Sequence, residues 1–318
     1  MRGAEELVAC PACRAPLSAE WGCTGCGALY LETEGVLNLR LPSDDRTEVV
    51  RRFYETAPFP GYPPSETLET LHLRADRSPF SRLLDRAIPA DARVVDVGCG
   101  SGQMCLYLAH ADRVIIGADV ARASLRLGAA AAFRFGLDRV QFVETDLRQP
   151  GLMARAFDVV YSSGVLHHTA DPRAAFAQLV PLARPGGIIV LGLYHWLARL
   201  PTRARRVLGR LSGFRFLPGD PILADRATDP ARRTAWLRDQ YQHPEEHRHS
   251  FPEVRRWFNE ERVTYLRSYP SVMWDDEPDD LFSPAADHWV LERWLRQVGW
   301  MGTLGREGGL FFMVGRRA

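Results

Sequence analysis

Short β-branched runs alternate with helical stretches from about residue 91 to the end of the chain. Residues 114–118 carry no polar side chain and Arg93–Val97 contains three valines, which is typical of strands in a parallel sheet. A sheet of this kind needs helices on both of its faces. The pattern therefore predicts an α/β domain built on a doubly wound, mostly parallel sheet.

A glycine-rich turn follows the first predicted strand. The turn reads Gly98-Cys99-Gly100-Ser101-Gly102 and leads into a predicted helix over residues 103–109. Glycine is needed where backbone bends sharply and lies against a ligand without a Cβ in the way. The GxGxG spacing differs from the GxGxxG of dinucleotide enzymes. Asp119 ends the second predicted strand, at the distance where a carboxylate meets ribose hydroxyls. The turn and Asp119 together indicate an adenosine site without a pyrophosphate.

Three further motifs follow in chain order: Glu144-Thr145-Asp146-Leu147, residues 157–168, and Arg184-Pro185-Gly186-Gly187 before a strand over residues 188–193. With the glycine turn and Asp119 they resemble the class I S-adenosylmethionine-dependent methyltransferases, and the resemblance runs from about residue 91 to the C-terminus. It implies the seven-stranded, Rossmann-like sheet of that family, closed by antiparallel strands over residues 262–268 and 309–315.

The resemblance also implies a cofactor site. Asp96 and the glycines would line the methionine part of S-adenosylmethionine, Asp119 would hold the ribose, and Asp146 would accept from the exocyclic amine of adenine. The full predicted cofactor set is Asp96, Gly98, Cys99, Gly100, Gly102, Asp119, Val120, Asp146, Leu147 and Ser163.

Four of the six cysteines lie near the start of the chain, in two CxxC turns: Cys10, Cys13, Cys23 and Cys26. Two such turns aim four thiolates at one point, which predicts a closed, structural Zn²⁺ site in a zinc ribbon over residues 1–42. Reduced, unliganded thiols or a redox pair are the alternative. The ribbon resembles those that precede the catalytic domain in some ribosomal RNA guanine methyltransferases.

Two kinds of segment fall outside a minimal methyltransferase. Residues 43–90 are predicted to form an N-terminal cap and linker helices, and their aromatic, proline-rich part at residues 53–62 is predicted not to be helical. We expect that part to cover the cofactor or substrate pocket. Packing between the zinc ribbon and the methyltransferase domain is the alternative. Residues 194–250 and 270–308 are predicted insertions of the 91–318 methyltransferase domain that form a helical substrate lid, with a Trp-rich helix at residues 285–298.

The catalytic candidates follow the fourth and fifth predicted strands. His168 or His195 is the predicted base or orienting group, with His167 and Tyr194 beside them. A purely structural role for these histidines remains the alternative. A run of arginines after the fifth strand, from Arg199 to Arg215, either binds an anion or RNA or lies on a solvated face.

The charge composition limits the classes of binding partner that the sequence predicts. The 318 residues carry 40 basic and 39 acidic side chains, so no overall field draws the chain to nucleic acid or to an anionic membrane. The sequence shows no apolar leader and no membrane span, which predicts a cytoplasmic protein. The leading hypothesis is methylation of an O, N or C atom of a small-molecule or lipid-like acceptor. RNA methylation and a noncatalytic cofactor-binding module are the alternatives, and the sequence does not indicate an oligomeric state.

Overall fold

The computed structural model describes residues 3–42, 45–55, 58, 61–214, 217, 220, 223, 230–242, 246–273, 276, 279–285, 290–304 and 308–318. Some residues named above lie outside this part of the chain. They are residues 56, 57, 59 and 60 of the aromatic segment, residue 215 of the arginine run, and residues 286–289 of the predicted Trp-rich helix.

The described strands form one mixed sheet in the order β1-β2-β5-β4-β3-β6-β7-β9-β8. Strands β2 to β7 pair in parallel, and β8 and β9 close the far edge in antiparallel pairing. The order reverses at β3, so the carboxyl ends of β3, β4 and β6 meet at one switch point. The strands are β1 Glu32–Thr33, β2 Val36–Asn38, β3 Arg93–Val97, β4 Val114–Asp119, β5 Val140–Glu144, β6 Phe157–Ser163, β7 Ala183–Tyr194, β8 Val263–Tyr269 and β9 Leu310–Arg317.

The prediction of seven strands is wrong, because the N-terminal segment adds two. β1 and β2 form a hairpin, and β2 pairs in parallel with β5, with Val36 opposite Phe142. The backbone N–H of Leu39 extends this pairing by donating to the carbonyl of Glu144 at 2.9 Å. Without the hairpin, β5 would present a row of unpaired backbone groups at a sheet edge. The two short strands satisfy that edge.

Helices cover both faces of the sheet, and their starts carry recognisable caps. The Ser250 hydroxyl accepts from the backbone of Glu253 in a capping box, and Asp171 caps the helix that follows β6. The described α-helices are α1 Asp45–Glu55, α2 Leu68–Ala75, α3 Pro79–Ala87, α4 Gln103–Leu108, α5 Arg122–Phe135, α6 Pro172–Leu179, α7 Leu200–Leu211, α8 Pro230–Leu237, α9 Phe251–Glu260 and α10 Val290–Gly299. None of them is long and apolar enough to cross a bilayer.

One helix contradicts its prediction. Phe53 and Tyr54 were expected outside any helix, but they form the last turn of α1. The helical spacing is set upstream, because Thr47, Val50 and Tyr54 stand at i, i+3 and i+7. A segment that starts at Phe53 leaves out these helical positions and contains mainly the proline-rich part of the sequence.

The N-terminal segment packs into the main core. Leu7, Cys10 and Leu39 are buried in the same apolar cluster as Val95 and Val97 of β3. The backbone of Ala9 donates to Gly151 at 3.1 Å, and Met153 donates back to Leu7 at 2.9 Å. The cysteine-bearing loops are therefore anchored directly on the end of the sheet.

Candidate active site

A cavity of about 470 Å³ lies at the carboxyl ends of β3, β4, β5 and β6. It stands at the switch point of the sheet, the place where open α/β sheets bind ligands. The cavity wall combines the glycine turn, the loops after β4 to β6, and one face each of α1 and α6. Its lining includes Thr47, Val50, Phe53, Tyr54, Gly98, Cys99, Gly100, Asp119, Val120, Ser124, Thr145, Asp146, Leu147, Arg148, Ser163, Gly164, Val165, His168, Asp171, Ala174, Ala175, Gln178 and Arg238.

The glycine turn has a backbone that other residues would not adopt. Gly98, Gly100 and Gly102 all have positive φ, at 78°, 56° and 77°. A Cβ on Gly98 would stand 2.2 Å from a methyl carbon of Val165, and one on Gly102 would stand 2.4 Å from the ring of Phe142. Glycine is therefore required for both conformation and space. The bare backbone of the turn lines the cavity.

Asp119 ties this turn to the end of β4. One carboxylate oxygen accepts from the backbone N–H of Gly100 at 2.8 Å, and the other accepts from Ala121 at 2.8 Å. Burial raises the pKa of Asp119, although both hydrogen bonds act to lower it. The carboxylate lies on the cavity wall beside the turn, where a ribose would meet it.

Asp146 lies on the same wall, after β5. Its carboxylate accepts from the backbone N–H of Arg148 at 2.9 Å and forms an ion pair with the Arg148 guanidinium at 2.8 Å. Asp119 and Asp146 thus line the same cavity as the glycine turn.

The structure brings most of the predicted cofactor set together. Eight of its ten residues line the cavity, and the exceptions are Asp96 and Gly102. Asp96 lies beneath the turn, where burial raises its pKa to about 7 and the thiol of Cys105 donates to it at 3.6 Å. Gly102 lets the turn pass over Phe142. These two residues support the turn from below.

Three of the four catalytic candidates, His167, His168 and Tyr194, pack against one another, and His195 lies apart from them. His168 lines the cavity. His167 is buried behind it, with its ring centroid 3.8 Å from that of Tyr194. His195 is fully buried against Trp300 and Phe311, and burial lowers its pKa to about 4. Of the four, His168 alone lines the cavity.

Behind His168 lies a buried ion pair from the first insertion. Arg199 is fully buried and donates to both carboxylate oxygens of Glu246, at 2.8 and 3.2 Å. Burial opposes ionisation of Glu246, but Arg199, Arg206 and His168 together lower its pKa. Arg199 also stands 3.8 Å from the centroid of the Tyr194 ring. Arg199, the first arginine of the run, is therefore paired inside the protein, whereas Arg203 and Arg210 are exposed on α7.

Several lining residues were not predicted from the sequence. Thr47 and Val50 reach the cavity from α1, and their helical spacing with Tyr54 is a signal that could have identified them. Arg148 follows Asp146 by two residues. Gln178 of α6 and Arg238 of the lid carry no local signal, because only the packing of distant segments brings them to the cavity.

The four N-terminal cysteines converge. Their Sγ atoms all lie within 4.8 Å of one another, and the Cys10–Cys26 and Cys13–Cys23 pairs are separated by 3.7 and 3.3 Å. Zn–S bonds of about 2.3 Å in a tetrahedral site place thiolates roughly 3.8 Å apart. The residues therefore fit a closed four-thiolate zinc site.

Comparison with known proteins agrees with the fold and the cleft. A methyltransferase domain family matches residues 95–191, from β3 into β7. An uncharacterised methyltransferase of Mycobacterium tuberculosis, Rv0089, is 31% identical over 145 residues, 41% of this chain and 71% of that protein. A ubiquinone biosynthesis O-methyltransferase of Xanthomonas axonopodis is 33% identical over 158 residues, 48% of this chain and 64% of that protein.

Among solved structures, geranyl diphosphate C-methyltransferase from Streptomyces coelicolor shares the fold, with a TM-score of 0.50 and 13% identity over 87% of this chain and all of that one. The chain spans 63% of the length of a further relative, an uncharacterised Synechococcus protein. The domain match, the Mycobacterium relative and the cleft at the switch point show that the chain belongs to the class I S-adenosylmethionine-dependent methyltransferases.

Proposed function

We propose that the chain methylates a hydroxyl group of a small aromatic or lipid-like acceptor, with His168 as the base. The observation that carries this proposal is the position of His168. Among the described residues that line the cavity, it is the only imidazole. It lies in the short helical turn after β6 and lines the same cavity as the glycine turn and Asp119.

The cofactor end of the cleft needs little chemistry from the protein. S-adenosylmethionine supplies a methyl group that is already activated on a sulfonium. Asp119 would accept from ribose hydroxyls, Asp146 from the adenine amine, and the backbone of Gly98 to Gly100 would lie against the methionine part. The task of the chain is to align the acceptor and exclude water.

A hydroxyl acceptor must lose its proton as the new bond forms, and an imidazole is suited to take it at neutral pH. A carboxylate near that imidazole stabilises the imidazolium that results. Glu246 meets this need, since Arg199 keeps it ionised and its charge interacts with that of His168. His168 would therefore accept the proton, and the carboxylate of Glu246 would stabilise the imidazolium that forms.

The remaining wall supports a small acceptor. The lining also includes apolar residues of two helices, Val50, Phe53 and Tyr54 of α1 and Ala174 and Ala175 of α6. A largely apolar cleft with few polar groups is typical of small-molecule sites. An RNA site would instead need a basic, open groove. The name of the Xanthomonas relative, a ubiquinone biosynthesis O-methyltransferase, supports oxygen as the methylated atom.

The N-terminal cysteines would have a structural role. Zn²⁺ bound by Cys10, Cys13, Cys23 and Cys26 has no open coordination position, so it would stabilise the loops that carry it. Because these loops pack on the sheet edge, the metal would also stabilise β1 and β2.

Methyl transfer from labelled S-adenosylmethionine tests the proposal. Purified protein is incubated with phenols and catechols with and without an alkyl tail, with amines, and with total RNA. Transfer to a hydroxyl is the expected result. Transfer to RNA or to an amine would overturn the acceptor class, and cofactor binding without transfer to any extract fraction would favour a noncatalytic module.

A further inference from the structure

Helix α7 presents its apolar side to solvent. At about 100° per residue, Leu200, Ala204, Val207, Leu208 and Leu211 share one face. The side chains of Val207, Leu208 and Leu211 are 58%, 47% and 83% exposed. A helix that packs only on its own protein turns its apolar stripe to the core. This apolar face of α7 therefore has no partner among the described residues.

The opposite side of α7 explains why the helix sits this way. Thr202 and Gly209, seven residues apart, are its buried residues. A Cβ on Gly209 would stand 2.8 Å from Leu217 and 2.9 Å from Phe214. The small residues allow close packing on the inside, and they leave the large apolar residues outside.

Arginines flank the apolar face. Arg203 and Arg210 are exposed beside it, α7 contains no acidic residue, and no carboxylate of the described residues pairs with either arginine. Nearby, Arg248 has a pKa that burial and the charge of Arg203 lower, so cations crowd this side of the lid. Exposed apolar residues bordered by cations complement a surface of anionic headgroups over hydrocarbon.

The side of α7 that carries Arg206 contacts a segment that reaches the cavity. Arg206 of α7 donates to the carbonyl of Tyr241 at 2.8 Å, in the π-helical segment Arg238–Gln242. Arg238, at the start of that segment, lines the cavity. The Arg238–Gln242 segment therefore contacts α7 at one residue and lines the cavity at another.

The second insertion also exposes apolar side chains. The Oε1 atom of Gln297, on α10, lies 3.2 Å from Nε2 of His195. His195 precedes the first residue of α7 by five positions. On its outer side α10 exposes Leu291 and Trp294, at 68% and 57%. Both predicted lid insertions thus carry apolar side chains on the outside of the protein.

We propose that α7 docks on an anionic lipid surface, with Val207, Leu208 and Leu211 in the apolar layer and Arg203 and Arg210 at the headgroups. The docking surface is independent of the methylation reaction. A consequence, which rests on the proposed function, is that a lipid-like acceptor enters the cleft from the membrane past the Arg238–Gln242 segment.

Vesicle sedimentation tests the docking surface. The full chain is mixed with vesicles of phosphatidylcholine alone, or of two parts phosphatidylcholine to one part phosphatidylglycerol. Binding to the anionic vesicles is expected. Arg203→Glu and Arg210→Glu should each weaken it roughly fivefold or more, and the Leu208→Glu/Leu211→Glu variant should abolish it. Cofactor binding by each variant, measured by calorimetry, reports whether the fold is retained.

Matched controls locate the effect. Phe133→Glu changes an apolar residue that is 91% exposed on α5, and Arg77→Glu changes an exposed arginine between α2 and α3. Both should bind vesicles as the parent does. Equal loss in the controls, no binding to anionic vesicles, or a dimer that dissociates in the Leu208→Glu/Leu211→Glu variant would overturn the proposal. Methyl transfer to a water-soluble acceptor should persist in the α7 variants, so failure of docking and failure of the proposed function are separate results.

Discussion

The carboxylate of Asp119 accepts a hydrogen bond from the backbone N–H of Gly100 at 2.8 Å. This contact joins the end of β4 to the glycine turn after β3, so the two parts of the cofactor site form one unit before any ligand binds. Because the second oxygen of Asp119 accepts from Ala121, the carboxylate is held from both sides. A pre-organised site of this kind spends little binding free energy on ordering its own groups.

Gly98→Ala should unfold the turn or displace Val165. Its Cβ would lie 2.2 Å from a Val165 methyl carbon, and its φ of +78° is unfavourable for any L side chain. Loss of cofactor binding by calorimetry is expected. Gly136→Ala is the matched control, since its φ is +69° but nothing stands within 4 Å of a new Cβ. It should cost about 1 to 2 kcal/mol of stability and leave binding intact.

His168→Gln should lower kcat for a hydroxyl acceptor by roughly 100-fold to 10,000-fold, since a positioned base contributes that much. Its affinity for S-adenosylmethionine should stay within about twofold. His110→Gln changes an imidazole that contacts Asp85 and Arg113 and does not line the cavity, so it should leave both quantities unchanged. Unaltered kcat in His168→Gln, or an equal loss in both variants, would exclude His168 as the base.

His195 should make stability depend on pH. Its pKa is lowered from 6.5 to about 4 in the folded chain, so the unfolded chain binds more protons between these values. The stabilisation is complete above pH 6.5 and is lost as the pH falls toward 4, by up to about 3 kcal/mol. Urea unfolding at several pH values should show this slope, and His195→Gln should flatten it. An unchanged slope in the variant would contradict a buried, neutral His195.

Removal of zinc should lower the stability of the sheet as well as that of the cysteine-bearing loops. Cys13 and Cys26 are exposed, so replacing them with serine removes ligands without opening a core cavity. The Cys13→Ser/Cys26→Ser variant should lose its zinc, measured by metal analysis, and its Tm should fall by several degrees, because β2 pairs with β5. Cys99→Ser should keep one zinc per chain. Parent protein without metal would refute the site.

Local sequence determines much of the site and little of the lid. The glycine turn, Asp119 and Asp146 were predictable because each stands at a fixed offset from the end of a strand. The burial of Arg199 was not, because its partner Glu246 lies 47 residues away. The position of His195 just after β7 predicts a site residue. Its packing against Trp300, which is 105 residues later in the chain, instead places it in the core.

The same distinction holds for the fold. β3 and β4 are short runs rich in valine and isoleucine, a composition that predicts strands. β1 and β2 comprise two and three residues, too few for any periodicity, and they exist because β5 offers an open edge. Phe53 and Tyr54 are helical because α1 begins at Asp45, and the sequence of residues 53–62 alone does not contain that start.

Calorimetric titration of the chain and its Asp119→Asn variant with S-adenosylmethionine tests the central claim, that the glycine turn and the carboxylates after β4 and β5 hold an adenosyl sulfonium. The parent should bind one equivalent and should not bind NADH. Asp119→Asn should bind roughly 10 to 100 times more weakly, as expected for lost hydrogen bonds to a charged acceptor, while Asp138→Asn, an exposed site, should match the parent. Unchanged affinity in Asp119→Asn, or binding of NADH in place of S-adenosylmethionine, would contradict the account.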